Sequence, residues 1–178
     1  ILFIIGLGAF FFFLRDFFEN ETVAWIGMLL LATNYVTISF GLTYLMDMGG
    51  WTFYLLALWS GYRYYKTGRS DYLLWSAFLV GFGGLWKEYA FLAAIPLFGA
   101  LILKEKKNTR KLLARGAKAA VLVVLPPALL YWFVYSSYGY TYASWLGFAT
   151  DQYGASYASR IVEYTKVFGS LFTFGWFL

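Results

Sequence analysis

A lysine and a glutamate stand side by side at Lys87-Glu88, between two short apolar runs. The runs, 72–86 and 89–103, have 15 residues each. As helices they reach roughly 22 Å, against about 30 Å for the hydrocarbon core of a bilayer. Ionisable groups below a membrane surface are costly, and they occur where a pathway or a reacting group needs them. The spacing predicts a hairpin that turns at Lys87-Glu88, and this turn is the first candidate site.

Asp47 is the second candidate, in the glycine-containing turn 44–50. An acid in such a turn can instead cap the next helix, and its position before Gly49 allows that interpretation. Lys87 also has an alternative interpretation, because a lysine can keep its stem in lipid and its ammonium at the interface. Glu88 is a supporting candidate that can pair with Lys87 or with a cation elsewhere. Pairing with Lys87 requires the chain to bend, since adjacent helical residues point about 100° apart.

The composition predicts the elements that must position these residues. The chain has 61% hydrophobic, 24% aromatic and 13% charged residues, which is too little polar surface for one soluble core of 178 residues. We predict an all-α polytopic membrane protein, because the apolar runs lack the alternation of a transmembrane barrel. The chain has no cysteine and no histidine. It therefore supplies no disulfide, no thiolate metal site and no histidine-dependent metal centre or proton relay.

Apolar segments with short connections divide the chain into about seven predicted transmembrane helices. They are 1–14, 23–42, 49–65, 72–86, 89–103, 119–137 and 167–178. We expect the first and last to be truncated, because the chain begins without methionine and ends inside an apolar run. The prediction is one transmembrane domain over 1–178, an internal fragment of a longer chain, with an external loop or interfacial segment at 138–166.

The distribution of cations predicts the orientation, because Lys and Arg are retained on the cytoplasmic side in short loops. With loops 63–71 and 104–118 cytoplasmic, eleven of the 14 cations lie inside. Lys87, Arg160 and Lys166 remain outside. A single helix over 72–103 would instead put the two basic loops on opposite faces, so the pattern favours the hairpin. The formal net charge of +5 then indicates attraction to anionic membrane lipids, and no nucleic-acid partner is expected.

The order of these features resembles the GT-C superfamily of membrane glycosyltransferases, which take a sugar from a polyprenyl-phosphate lipid. That superfamily includes the dolichyl-phosphate-mannose protein mannosyltransferases and the aminoarabinose lipid A transferases. The resemblance covers approximately residues 10–135. Its matching stretches are 44–48, 51–58, 63–69, 80–89 and Pro96. In the family an acid opens the span after an external turn, and a glycine-bearing helix ends in a lysine-containing hinge. The first external loop, with the family's principal acidic motif, is expected to lie before Ile1.

The resemblance implies roles for the candidate residues. Transfer from a lipid phosphate leaves negative charge on the departing phosphate, and a cation held there stabilises the transition state. Lys87 is the expected donor-phosphate-binding residue, and Glu88 supports it. Asp47 is the expected catalytic carboxylate in this chain, where it helps to position the acceptor or a metal. The family's missing loop would supply the general base. The cofactor is left open: a divalent metal is compatible with Asp47, and none is required by these residues.

Segment 138–166 is rich in aromatic and small polar residues and allows two interpretations. Aromatic faces can stack on sugar C–H groups while polar side chains hydrogen-bond the ring. The candidate sugar- or acceptor-binding residues are Trp145, Asp151, Gln152, Tyr153 and Arg160. The alternative is an interfacial helix that lies flat and holds its aromatic residues among the headgroups.

The sequence therefore predicts a glycosyltransferase that acts on the external or luminal face of a prokaryotic plasma membrane or an ER-type membrane. Its expected partners are a polyprenyl-phosphate-sugar lipid, membrane lipids, and a protein, glycan or lipid acceptor. Two alternatives stay open. A transporter usually has carboxylates near the middle of a span and internally repeated halves, and neither is visible here. A non-catalytic scaffold subunit is the other alternative.

Overall fold

Helices account for almost all of the chain that the computed structural model describes, which is residues 1–34, 37–38 and 45–139. The helices with defined bounds are α1 (Leu2–Phe18), α2 (Glu21–Thr33), α3 (Leu45–Thr67), α4 (Ser70–Trp86), α5 (Ala94–Glu105) and α6 (Thr109–Tyr138), and a 3₁₀ helix covers Glu88–Ala93. No β-strand occurs within the described ranges. The all-α prediction is confirmed.

Short polar connections separate the helices and satisfy their free ends. At the α1–α2 turn, Glu19 adopts a left-handed conformation, and the Asn20 side chain accepts a hydrogen bond of 3.2 Å from the Val23 N–H. Asn108 caps α6 in the same way, accepting from the Lys111 N–H at 2.9 Å. Such caps satisfy donors that have no partner inside the helix. Tight turns of this kind make consecutive helices run in opposite directions.

The core lies where α3, α4, α5 and α6 meet. Its buried side chains are mostly aliphatic, and they include Leu73, Val80, Leu97, Leu101 and Val123. Small residues let α4 and α6 approach closely: a Cβ added at Gly81 would lie 2.5 Å from the carbonyl oxygen of Leu122. The face of α4 that contains Gly81 is thus a packing surface, as expected for close helix pairs in membranes.

Hydroxyl side chains tie the helices together through backbone carbonyls. Ser76 on α4 donates to the Ala57 carbonyl on α3 at 2.8 Å, and Ser60 on α3 donates to the Tyr72 carbonyl on α4 at 2.9 Å. Thr52 on α3 donates to the Leu2 carbonyl on α1 at 2.8 Å. These bonds fix the register of α3 against both neighbours without placing a charge inside the bundle.

The chain folds back after α4, as the hairpin prediction requires. Helix α4 ends at Trp86, and the following segment returns beside α3. Lys104, at the far end of α5, donates from its Nζ to the Tyr65 carbonyl at 2.8 Å. The 63–71 and 104–118 loops therefore lie at the same end of the bundle. A continuous helix through residues 72–103 is excluded.

Ion pairs join the helices at this end, which we call the basic end. Asp16 accepts from Trp59 at 2.9 Å and from Arg63 at 3.2 Å. Lys66 binds Glu19 at 2.7 Å, and its ammonium holds the pKa of the Glu19 carboxyl below its usual value through that hydrogen bond and its charge. A second network joins three helices through Tyr64, Glu105 and Arg115. The Glu105 carboxylate accepts from the Tyr64 hydroxyl and pairs with the Arg115 guanidinium.

Large apolar side chains cover the outside of the bundle. Among the described residues, α6 is the helix that is both long and apolar enough, by length and composition, to cross a bilayer, and α2 is a shorter apolar helix. The predicted segments 1–14, 49–65, 72–86, 89–103 and 119–137 are helical, whereas 23–42 lies partly, and 167–178 wholly, outside the described residues. The number of membrane spans remains a prediction.

Candidate active site

The hinge is a single extended residue between two helices. Lys87 has φ −159° and ψ 136°, so the chain leaves the α-helical path directly after Trp86. Its N–H still donates to the Gly83 carbonyl at 3.0 Å, and its carbonyl accepts from the Ala90 N–H at 3.0 Å. Lys87 therefore closes α4 and opens the 3₁₀ helix Glu88–Ala93. The backbone fixes its position from both sides.

The Lys87 ammonium forms an ion pair with Asp47. The Nζ–Oδ1 distance is 3.2 Å, and the side chains keep 41% and 28% of their surface exposed. The two candidates, forty residues apart in sequence, thus meet at one place. Asp47 lies in the first turn of α3, which begins at Leu45. The interpretation of Asp47 as the cap of a later-starting helix is therefore wrong.

A second contact fastens the hinge to the start of α3. The Tyr89 hydroxyl donates a hydrogen bond to the backbone carbonyl of Asp47. Gly50 makes room for this approach, because a Cβ at that position would lie 2.6 Å from the Lys87 Cβ and 2.8 Å from the Tyr89 hydroxyl. Position 50 therefore requires glycine. Lys87 and Tyr89 are both held against the first turns of α3.

Next to the ion pair, an exposed tryptophan packs against a half-buried tyrosine. The Trp51 and Tyr89 ring centroids lie 5.5 Å apart with the planes tilted by 46°, and Trp51 is 48% exposed. Neither residue was among the site residues expected from the sequence. The available signals were weak: Trp51 follows Asp47 by one helical turn, and Tyr89 follows Lys87 by two residues.

The remaining candidate residues do not join this cluster. Glu88 is exposed at the start of the 3₁₀ helix, and the Lys87 ammonium pairs with Asp47 instead. The possible sugar- or acceptor-binding residues, which are Trp145, Asp151, Gln152, Tyr153 and Arg160, lie outside the described residues. Within those residues, no group of three or more Asp and Glu side chains is placed to hold a metal ion.

The site lies at the end of the bundle opposite the basic end. Sixteen residues of α3 separate Asp47 from Arg63, which corresponds to about 24 Å along the helix axis. Within 1–34, 37–38 and 45–139, Lys87 is the only Lys or Arg at the Asp47 end. A phosphate approaching this end of the described bundle therefore meets one cation, and that cation already has a carboxylate beside it.

Most of the chain matches a known protein family. Residues 1–132 match the family described as dolichyl-phosphate-mannose-protein mannosyltransferase. The chain belongs to this family. The resemblance to GT-C glycosyltransferases is confirmed. No curated protein and no solved structure matches the chain.

Family membership gives the general character of the protein. Members of this mannosyltransferase family are integral membrane glycosyltransferases, and at the family level their donor is a sugar linked to a polyprenyl phosphate. The match includes α1 to α5 and most of α6. It therefore contains the Asp47–Lys87 ion pair, and it also contains Trp51 and Tyr89.

Proposed function

We propose that this mannosyltransferase-family protein transfers a sugar from a polyprenyl-phosphate lipid to an acceptor on the external or luminal face, at the Asp47–Lys87 site. The ion pair carries the proposal, because it combines an exposed cation with a carboxylate at the end away from the basic loops. If cationic loops remain in the cytoplasm, that end faces outward. Family membership favours this enzyme over the transporter and scaffold alternatives.

The reaction assigns distinct tasks to the two side chains. The bond between the anomeric carbon and the phosphate oxygen breaks, and its electron pair stays on the phosphate. The acceptor hydroxyl forms the new bond to that carbon and gives its proton to a base. Lys87 stabilises the phosphate charge, which grows as the bond breaks, so its contribution is larger in the transition state than in the ground state.

Asp47 acts on the acceptor side of the reaction in this proposal. Its carboxylate lies within 3.2 Å of the phosphate-binding ammonium, so a group that it hydrogen-bonds is held close to the departing phosphate. We propose that Asp47 positions the acceptor hydroxyl or a metal, and that Glu88 supports the role of Lys87. Trp145, Asp151, Gln152, Tyr153 and Arg160 remain our candidates for binding the acceptor or the sugar.

The test is transfer by full-length enzyme carrying Lys87→Ala. We expect at least a tenfold lower transfer rate from dolichyl-phosphate-mannose, with unchanged yield of folded protein, because the leaving phosphate loses its cation. Lys87→Arg keeps the charge and should retain part of the rate. Lys107→Ala is the matched control, since it removes an exposed lysine at the basic end and should leave transfer unchanged. Full turnover by Lys87→Ala would remove this residue from the site.

A further inference from the structure

Trp51 is a large aromatic side chain that the proposed roles of Lys87 and Asp47 do not use. It lies on α3 one turn after Asp47, so their Cβ atoms are about 6 Å apart on the same face of the helix. Nearly half of its surface is exposed. An apolar surface of this size next to an ion pair is therefore available to a ligand that binds the ion pair.

Two tyrosines hold the Trp51 ring in place. Tyr89 packs against Trp51 with a centroid separation of 5.5 Å, and the Tyr89 hydroxyl donates to the Asp47 carbonyl. Tyr54 closes another side of Trp51, edge-on at 6.0 Å. A ring fixed by such contacts loses little freedom when a ligand stacks on it, which favours binding.

The geometry points to a pyranose-binding surface. We propose that Trp51, backed by Tyr89, contacts the C–H face of the donor sugar while Lys87 binds the phosphate to which that sugar is joined. Sugar and phosphate are directly bonded in the donor, so their binding groups must lie a few ångströms apart, as Trp51 and the ion pair do. This inference rests on the proposed function and assigns the part of the donor that Lys87 does not bind.

The competing explanation is an aromatic residue anchored in the membrane interface. Tryptophan is common there because its ring is apolar and its N–H is polar. Trp75 on α4 provides a comparison inside the same protein: it is 60% exposed and has an edge-on aromatic neighbour, Phe78, at 5.9 Å. The Asp71–Arg69 ion pair lies one turn before it, but at the basic end of the bundle, away from Lys87. A general effect of removing an exposed tryptophan should therefore be the same at positions 51 and 75.

The experiment is equilibrium binding of two lipids to the full-length protein in nanodiscs. The lipids are dolichyl-phosphate-mannose and dolichyl phosphate, which differ by the sugar alone. We expect Trp51→Leu to weaken binding of the mannosyl lipid by about fivefold to tenfold, the size of an aromatic stacking contribution. Binding of dolichyl phosphate should stay within twofold. Leucine keeps an apolar contact with lipid and with Tyr89, so the variant should fold.

Three further variants separate the outcomes. Trp51→Phe keeps an aromatic face and should retain most of the preference for the mannosyl lipid, and Trp75→Leu should change neither affinity. Lys87→Ala should weaken the binding of both lipids, because both carry the phosphate. The proposed role of Trp51 is overturned if Trp51→Leu leaves both affinities unchanged or lowers both equally. It is also overturned if the wild-type protein binds both lipids with equal affinity. Unchanged binding of both lipids by Lys87→Ala would overturn the proposed function as well.

Discussion

At the residue scale, the Lys87 ammonium is paired with a carboxylate and still accessible from outside the protein. Its ammonium pairs with Asp47 at 3.2 Å and is 41% exposed, so a phosphate can reach it but must compete with the carboxylate. A partly exposed ion pair contributes little to folding stability, on the order of 1 kcal/mol or less. Either side chain can therefore be replaced with little loss of folding stability, which allows the proposed roles of Lys87 and Asp47 to be tested separately.

Asp47→Asn should affect transfer and phosphate binding in opposite directions. Loss of the carboxylate removes a competitor for the ammonium, so we expect dolichyl phosphate to bind as tightly as before or more tightly. Transfer should fall at least tenfold, because the acceptor side of the site loses its charge. Binding in nanodiscs and initial transfer rates measure the two effects.

A different result would reassign Asp47. If Asp47→Asn weakened phosphate binding as much as Lys87→Ala does, Asp47 would act only by holding Lys87 in position. Asp71→Asn is a suitable control, since it breaks an exposed ion pair with Arg69 at the other end of α4. It should change neither measurement.

The sequence pointed to the charged members of the candidate site and not to the aromatic ones beside them. Lys87 and Asp47 were predictable because a charge beside apolar runs is costly and therefore conspicuous. Trp51 and Tyr89 were not, because aromatic residues are frequent throughout this chain, at 24%. Only the fold-back of the chain shows which of them adjoins the ion pair. For Glu88 the sequence left the partner open between Lys87 and another cation, and the structure pairs Lys87 with Asp47.

At the scale of the elements, the site depends on how closely the hinge can approach α3. The contact depends on Gly50, whose missing side chain admits both Lys87 and Tyr89. The first turn of α3 supplies Asp47 and the 3₁₀ helix supplies Tyr89. The two elements can pack this closely only if residue 50 has no side chain.

Gly50→Ala should therefore reduce both stability and transfer. The added methyl group would lie 2.6 Å from the Lys87 Cβ, so the hinge must move away. We expect a cost of about 1–3 kcal/mol in the free energy of unfolding, as for other overpacked sites. We also expect a transfer rate at least tenfold lower. Thermal unfolding in detergent and transfer assays test these expectations.

The matched control for this substitution is Gly99→Ala. No neighbour lies within 4 Å of a Cβ at Gly99, and the residue is inside α5. Alanine there should stabilise the helix by about 0.5–1 kcal/mol and leave transfer unchanged. If Gly50→Ala also had wild-type activity, close docking of the hinge would not be required for the reaction.

At the scale of the whole molecule, charge is distributed unequally between the two ends. The basic end gathers the cations of three chain regions, near Arg15, Arg63 and Lys104–Lys118, whereas the opposite end has Lys87 within the described residues. By the rule that cytoplasmic loops retain cations, this asymmetry predicts the orientation of the bundle. It also predicts that the hinge and the basic loops lie on opposite sides of the membrane.

Cysteine labelling tests that orientation directly, because the chain has no cysteine of its own. Glu88 and Lys107 are both exposed, so either can be replaced without disturbing the core. In intact cells or sealed vesicles of known orientation, a membrane-impermeant maleimide should label Glu88→Cys and not Lys107→Cys. Both should react after the membrane is permeabilised. The opposite pattern would reverse the orientation and place the reaction on the cytoplasmic face.

The helical path was largely predictable, whereas helix ends were not. The hairpin was correct because two 15-residue apolar runs have no other arrangement that keeps both basic loops at one end. Helix α6 begins at Thr109, ten residues before the predicted apolar segment 119–137. Charged residues mark where a chain leaves lipid, but lysine and arginine are good helix formers. A membrane boundary therefore does not mark a helix boundary.

The shortness of α4 has a consequence for how substrate arrives. As a predicted membrane span, α4 rises about 26 Å over its 17 residues, so in a bilayer with a core of about 30 Å Lys87, directly after its end, lies near the headgroups. Under the proposed function, a long isoprenoid tail can remain dissolved among the acyl chains while its head reacts. Encounters then occur by two-dimensional diffusion, and the relevant substrate concentration is a mole fraction of lipid rather than a molarity.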